Sequence, residues 1–393
     1  MVKVPDNLIW QKYQTIRYGQ STRLSDMVKV PDNQIWQKYQ IIKYGKRMSD
    51  IVSDQQVILA MIVYAQWLSP VLQVLAMSAN ILNIIVFYQI GIRDSVNMTF
   101  LALSISDIAY LALDASGNIT LIVGMSPWQQ GLPVSMYSLS GCIHWYQYIV
   151  LDTSTCLETY LAITRCCCVS MPLKFKHVFT PRKTFIIIVC IVSCNIVLRI
   201  PLFSSFGLSW QTSFLTNQTK LTFYSTNTFQ LFNGIEQVLA RTVCPVIFLC
   251  ISTFCSLILT SALARASVRR KQMIRADSRH GDDDPTSTDK SKPYTQKSAN
   301  TLAAKEVQLV KAVNLVITLL GILLLSLSLF SLGQAAEPEL FPGKKYGNLH
   351  GVFSVTANLL IISHTGYKIL IYYAFNSRFR CILKTLLHLV REY

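Results

Sequence analysis

From residue 57 onward the chain alternates long apolar runs with short polar gaps. A helix needs about 20 mostly apolar residues to cross the hydrocarbon core of a bilayer. Seven stretches qualify: 57–88, 98–123, 136–164, 183–203, 237–263, 307–332 and 349–374. They lack the alternation, in segments of about ten residues, that marks a transmembrane barrel strand. Helices are the open-chain way to satisfy backbone groups in lipid. The pattern therefore predicts an all-α membrane protein, a seven-transmembrane-helix bundle over 56–375. Within it, 264–306 forms a third inner loop whose polar part, Ser267 to Ala304, reads as mobile. The tail, 376–393, opens with NSRFRCILKTLLHLV, which suits a short amphipathic helix on the membrane surface.

Residues 1–55 precede the bundle and contain a repeat. MVKVPDN at Met1–Asn7 returns at Met27–Asn33, and IWQKYQ at Ile9–Gln14 returns at Ile35–Gln40. Two copies are too few for a solenoid. They read as a local duplication or two candidate starts, at Met1 and Met27, or else as a segment that caps a ligand. The stretch has no short apolar core of a cleaved signal peptide, so the first transmembrane helix is expected to direct insertion.

Charge in the loops favours one orientation, with the basic N-terminal repeat as the exception. The basic residues sit in the gaps, which argues against nucleic-acid binding despite a net charge of +16. One set of gaps holds Arg93, then Lys174, Lys176, Arg182 and Lys183, then a dense group from Arg265 to Lys305, then Arg378, Arg380, Lys384 and Arg391. The alternate gaps hold only Lys220, Lys344 and Lys345. The positive-inside rule then puts the N-terminus outside and the C-terminus inside, as in a multi-pass plasma-membrane protein. Asn217, in Asn217-Gln218-Thr219, is a glycosylation acceptor on the outer side, whereas the triplet at Asn97 falls inside.

Only 14% of residues are charged, so intramembrane polar groups stand out. An ionisable side chain within a span is costly and marks a functional position by default. Asn80, Asp107, Asp152, Glu158, Arg165 and Lys368 all fall inside apolar runs. Most of the eleven cysteines do too, and read as small buried hydrophobes. No metal-ligand spacing, phosphate loop or nucleophile with an ordered base is present, so no catalytic residue and no cofactor are predicted. A transporter would show inverted repeats and broken helices, which the membrane region lacks.

Four local patterns narrow the choice. Asn80 in SANILNIIVFY and Asp107 in FLALSISDIAYLAL lie mid-helix. The third span ends YLAITRCCCVSMPLKF, carrying Arg165 and Pro172. Pro245 lies within the fifth span and offers a kink. The seventh ends KILIYYAFNSRFR, carrying Tyr372 and Phe379. Together, over roughly 57–390, these resemble the rhodopsin-like (class A) G-protein-coupled receptors, nearest the invertebrate FMRFamide, peptide and chemosensory branch. The resemblance implies a receptor for an extracellular neuropeptide or chemosensory molecule that activates a heterotrimeric G protein. Arg165, Pro172 and Tyr372 would then lie at the G-protein face, and Asn80, Asp107 and Ser154 in the polar core that holds a sodium ion in that family.

The chain departs from the family pattern in several places. The triplet at the end of the third span is Thr164-Arg165-Cys166, without the acidic neighbour. Lys368 and Ile369 replace the Asn-Pro of the seventh span. The sixth lacks the Cys-Trp-x-Pro motif, with Ser326 near the proline position. Cys142 has no cysteine partner in the loop from Phe203 to Glu236. A receptor-like scaffold without signalling is the alternative that these losses raise. Counting eighteen residues back from Arg165 puts Gln147 at the position where amine receptors hold an acid, and thirteen reaches Asp152, one turn too deep. Asp152 either meets a polar ligand group or bonds within the bundle, and Glu158 is expected to be paired or protonated. Aligning Tyr372 with the family tyrosine puts Lys368 near Asp107. It either pairs with that carboxylate in place of sodium or snorkels to the inner interface. Cys381, on the surface helix, is a palmitoylation candidate.

Overall fold

The computed structural model describes residues 63–171, 175, 177–212, 218–280, 314–333, 337, 340 and 346–391. The described helices all belong to one compact unit. The N-terminal repeat, Pro172, Asn217 and 281–313 lie outside the described residues.

Helix α1 (Ser69–Ile90) follows a π turn at Tyr64–Leu68 and stops at Gly91, whose φ of 102° an L side chain rarely adopts. Helices α2 (Ser95–Met125), α3 (Met136–Ser170) and α4 (Pro181–Val197) come next. Ser135 Oγ caps α3 by accepting from the Ser138 N–H, and Thr180 Oγ1 caps α4 by accepting from the Lys183 N–H. A single turn at Ile200–Phe203 leads into a two-stranded sheet, β1 (Phe206–Thr212) and β2 (Thr219–Ser225). Helix α5 runs in three parts: Phe229–Val238, a π turn at Leu239–Val243, and Cys244–His280. Then come α6 (Asn314–Gly333), α7 (Gly347–Phe375) and α8 (Ser377–Arg391).

The chain is a seven-helix membrane bundle. Among the described residues, five helices are long and apolar enough to span by length and composition alone: α1, α2, α4 with its following turn, α5 and α6. The other two, α3 with 35 residues and α7 with 29, are long enough but carry the polar side chains of the interior. That division follows from lipid exposure, since a helix facing its neighbours tolerates polar groups that a lipid-facing one does not.

The loop after the fourth span holds a small two-stranded sheet beside the helical bundle. Its place against the bundle is fixed by packing rather than a disulfide. Cys142 is a buried free thiol in one cluster with Phe206 and Leu202, and Phe206, Phe223 and Phe229 pack as a triangle with ring centroids 5.6, 5.9 and 6.0 Å apart. Helix α5 stays helical to His280, past Ser267 where the polar segment was expected to begin. The stretch ASVRRKQMIRADSRH is free of Gly and Pro and rich in good helix formers.

At the opposite end, Phe379 and Leu383 dock α8 on the bundle. Phe87 and Phe100 stack at 5.1 Å, with Tyr372 at 5.1 and 4.8 Å from them and Phe379 at 5.2 Å from Phe87. Asn376 Oδ1 accepts from the Phe379 N–H at 3.1 Å and so starts α8. Cys381 is exposed on α8.

Candidate functional site

Midway along the bundle, α2, α3 and α7 meet through charged side chains. Lys368 of α7 is buried, with 1% of its surface exposed, which excludes snorkelling. Its Nζ lies 2.7 Å from Asp107 Oδ2 and 2.5 Å from Glu158 Oε1. Ser154 Oγ, one turn before Glu158 on α3, donates to Asp107 Oδ1 at 2.6 Å. His364, one turn before Lys368 on α7, places Nε2 2.9 Å from both Glu158 oxygens and Nδ1 2.5 Å from the Tyr367 hydroxyl. An ionised carboxylate only accepts, so Nε2 carries the hydrogen of that contact.

The arrangement is compact for an electrostatic reason. Two carboxylates buried together repel, and each loses hydration; one ammonium between them, hydrogen-bonded to both, offsets much of that cost. A cavity of about 10 Å³, room for about one water, lies between Asp107, Ser154, Glu158 and His364.

Asn80 belongs elsewhere. It was expected beside Asp107, but its Nδ2 donates to the Thr365 and Ala76 carbonyls, both at 3.0 Å. The contact is possible because Gly366 packs against Ala76, where an added Cβ would come within 3.2 Å. Asn80 therefore ties α1 to the backbone of α7.

Toward the α8 end, Arg165 is buried and its Nε has no hydrogen-bond partner. Thr164 Oγ1 donates to the Leu161 carbonyl of its own helix at 2.9 Å. The acid whose charge reaches Arg165 is Asp94, the residue before α2. Tyr372 sits in the aromatic cluster with its hydroxyl buried and unpartnered.

Pro245 lies two residues past the π turn Leu239–Val243, so α5 carries a widened turn just ahead of the proline. That turn carries Arg241. Toward the sheet end, Arg241 pairs with Asp152 at 3.2 Å and Glu236 at 3.3 Å, and its guanidinium lies 3.8 Å from the Tyr148 ring centroid. Arg199, just after α4, bonds Asp152 and lies 3.2 Å from Glu236. Asp152 is thus paired with two arginines within the bundle.

Gln147 serves a different group. Its Nε2 donates to Asp114 Oδ1 at 2.8 Å. Asp114, buried on α2, also accepts from Gln73, from Asn118 at 3.3 Å and from Asn358 at 3.1 Å. The sequence reading missed Asp114, Arg199, Glu236, Arg241 and His364. The signal for them was available, because each is a polar or ionisable residue inside or at the rim of an apolar run.

No curated protein is matched by this chain. The family described as serpentine type 7TM GPCR chemoreceptor Srx matches residues 74–281. That stretch takes in α2 to α5, with Asp107, Glu158, Arg165 and the Asp152 cluster, and is more than half of the chain. The protein is a membrane receptor of a non-enzymatic family: it belongs to the serpentine seven-transmembrane chemoreceptors of the Srx type.

Proposed function

We propose that this chain is a cell-surface chemosensory receptor that binds a small extracellular molecule at the sheet end of its bundle and activates a heterotrimeric G protein at the α8 end. The N-terminus and the sheet face outward and the basic loops face the cytoplasm, in line with the charge asymmetry. A small chemical signal is favoured over a neuropeptide by the family's chemoreceptor description. The likeness to rhodopsin-like receptors rests on Asn80 with Asp107, Arg165 with Pro172, Pro245, and Tyr372 with Phe379.

The observation that carries the reading is the ion network joining α2, α3 and α7. Lys368 bridges Asp107 and Glu158 where the rhodopsin-like pattern has a sodium site. Such a network is a two-state element, because moving α7 against α3 must break or re-form it. The test is expression in cultured cells with a second-messenger readout, challenged with a panel of small polar and amphiphilic compounds. A response that disappears on Arg165→Ala supports the reading. Uptake or current without a second-messenger response would instead make the protein a transporter or channel, and a protein that reaches the surface but leaves every readout unmoved would be a scaffold.

A further inference from the structure

Three polar atoms of the Asp152 cluster remain without partners. Arg199 Nη1, Arg241 Nε and Glu236 Oε2 are each buried and make no hydrogen bond among the described residues. Arg199 is 5% exposed and Glu236 is 9% exposed. Buried polar groups are nearly always satisfied, and an orphan one marks a place for a water, an ion or a ligand group. Here two orphan donors and one orphan acceptor belong to one cluster, drawn from α3, the end of α4, and α5 before and within its π turn. Asp152 and Arg241 keep 19% and 16% of their side-chain surface open, so the cluster is not sealed.

Charge sets the ligand class. Two guanidinium and two carboxylate groups sum to zero. A bare anion or a bare cation would leave one net charge in a poorly solvated interior, whereas a zwitterion adds none. A carboxylate matches the free N–H groups, and an ammonium matches the free Glu236 oxygen. We propose that Asp152, Arg199, Glu236 and Arg241 form the head-group subsite for a zwitterionic ligand of the α-amino-acid class. The ligand carboxylate faces Arg199 Nη1 and Arg241 Nε, and its ammonium faces Glu236 Oε2. The Tyr148 ring, already under Arg241, walls one side. This subsite deepens the receptor reading and rests on it for its role in signalling, though not for binding.

The test uses the full chain in lipid nanodiscs. The probes are the common L-α-amino acids, their anionic N-acetyl forms and their cationic methyl esters, and the readout is the thermal unfolding midpoint. At least one zwitterion should raise the midpoint at concentrations where its acetyl and ester forms do not. Glu236→Gln keeps the shape, removes the ammonium's partner and leaves the cluster at +1. It should weaken that zwitterion about ten- to a hundredfold, as loss of a charge-assisted bond does, and shift preference to the N-acetyl form. Asp152→Asn serves as a second variant should Glu236→Gln not fold, with the same shift expected. The proposal is overturned if no zwitterion stabilises the wild type, if acetyl or ester forms do so equally, or if the variants leave the order unchanged. A zwitterion that stabilises the protein without any second-messenger response supports the subsite and counts against the receptor. Signalling to other compounds with no zwitterion binding removes the subsite alone.

Discussion

Lys368→Met tests the polar core most severely. The substitution keeps an unbranched chain of similar length and deletes the ammonium that lies 2.7 Å from Asp107 and 2.5 Å from Glu158. Removing one partner of a buried ion pair costs about 3–5 kcal/mol, because the remaining charge is left uncompensated. Here two carboxylates lose the same partner, so the upper part of that range is expected. Asp107→Asn alone should cost less, since Lys368 keeps Glu158 and Ser154 can still bond the amide. In the double variant one of the stranded charges is gone, so the two effects should fall short of their sum by more than about 0.5 kcal/mol, at the lower edge of couplings between contacting groups. Unfolding midpoints in nanodiscs would be read for the wild type, both single variants and the double variant. Lys384→Met on α8, where the side chain is exposed, is the control and should lie within about 0.5 kcal/mol of wild type. Strict additivity, or a Lys368→Met midpoint equal to the control, would refute the argument that the ammonium holds the core together.

Three further outcomes are expected. Lys368→Asn opens the place held by the ammonium, so sodium should alter the variant's signalling and not the wild type's; equal responses would mean that Lys368 does not stand in for the ion. Thr164→Asp should lower ligand-independent signalling, because a charge-assisted bond to Arg165 contributes about 1.5–3 kcal/mol to the resting state, and an unchanged or higher basal signal counts against it. Asn217→Gln should abolish a glycan-dependent gel shift while Asn97→Gln leaves it intact, and the reverse pattern would invert the topology.

The spans were legible because lipid demands long apolar runs, and little else in a sequence looks like that. Their ends were less so. Helix α5 begins at Phe229, ahead of the expected 237, because Gln230, Asn233 and Glu236 interrupt the apolar run while still completing helical turns. The proximity of Lys368 and Asp107 followed from spacing within known motifs. The joining of Glu158 and His364 to them did not, since which faces of α3 and α7 meet depends on helix rotation. Asn80 shows the same limit: the close approach at Gly366 handed it the Thr365 carbonyl instead of Asp107. Arg199 and Arg241 escaped notice because arginines near the ends of spans usually snorkel, and only the assembled bundle brings both to Asp152. The sheet was invisible because two seven-residue strands in a loop without cysteines leave a weak alternating signal.

The central claim is that this bundle drives nucleotide exchange on a G protein, with Arg165 as the coupling residue and Thr164, not an acid, beside it in the sequence. The most direct measurement is exchange on purified heterotrimers by receptor in nanodiscs, with no ligand added. The account predicts a rate above that of empty nanodiscs for the wild type, and a return to the empty-disc rate for Arg165→Ala. Equal rates for wild type, Arg165→Ala and empty nanodiscs, across heterotrimers of each class, would contradict it.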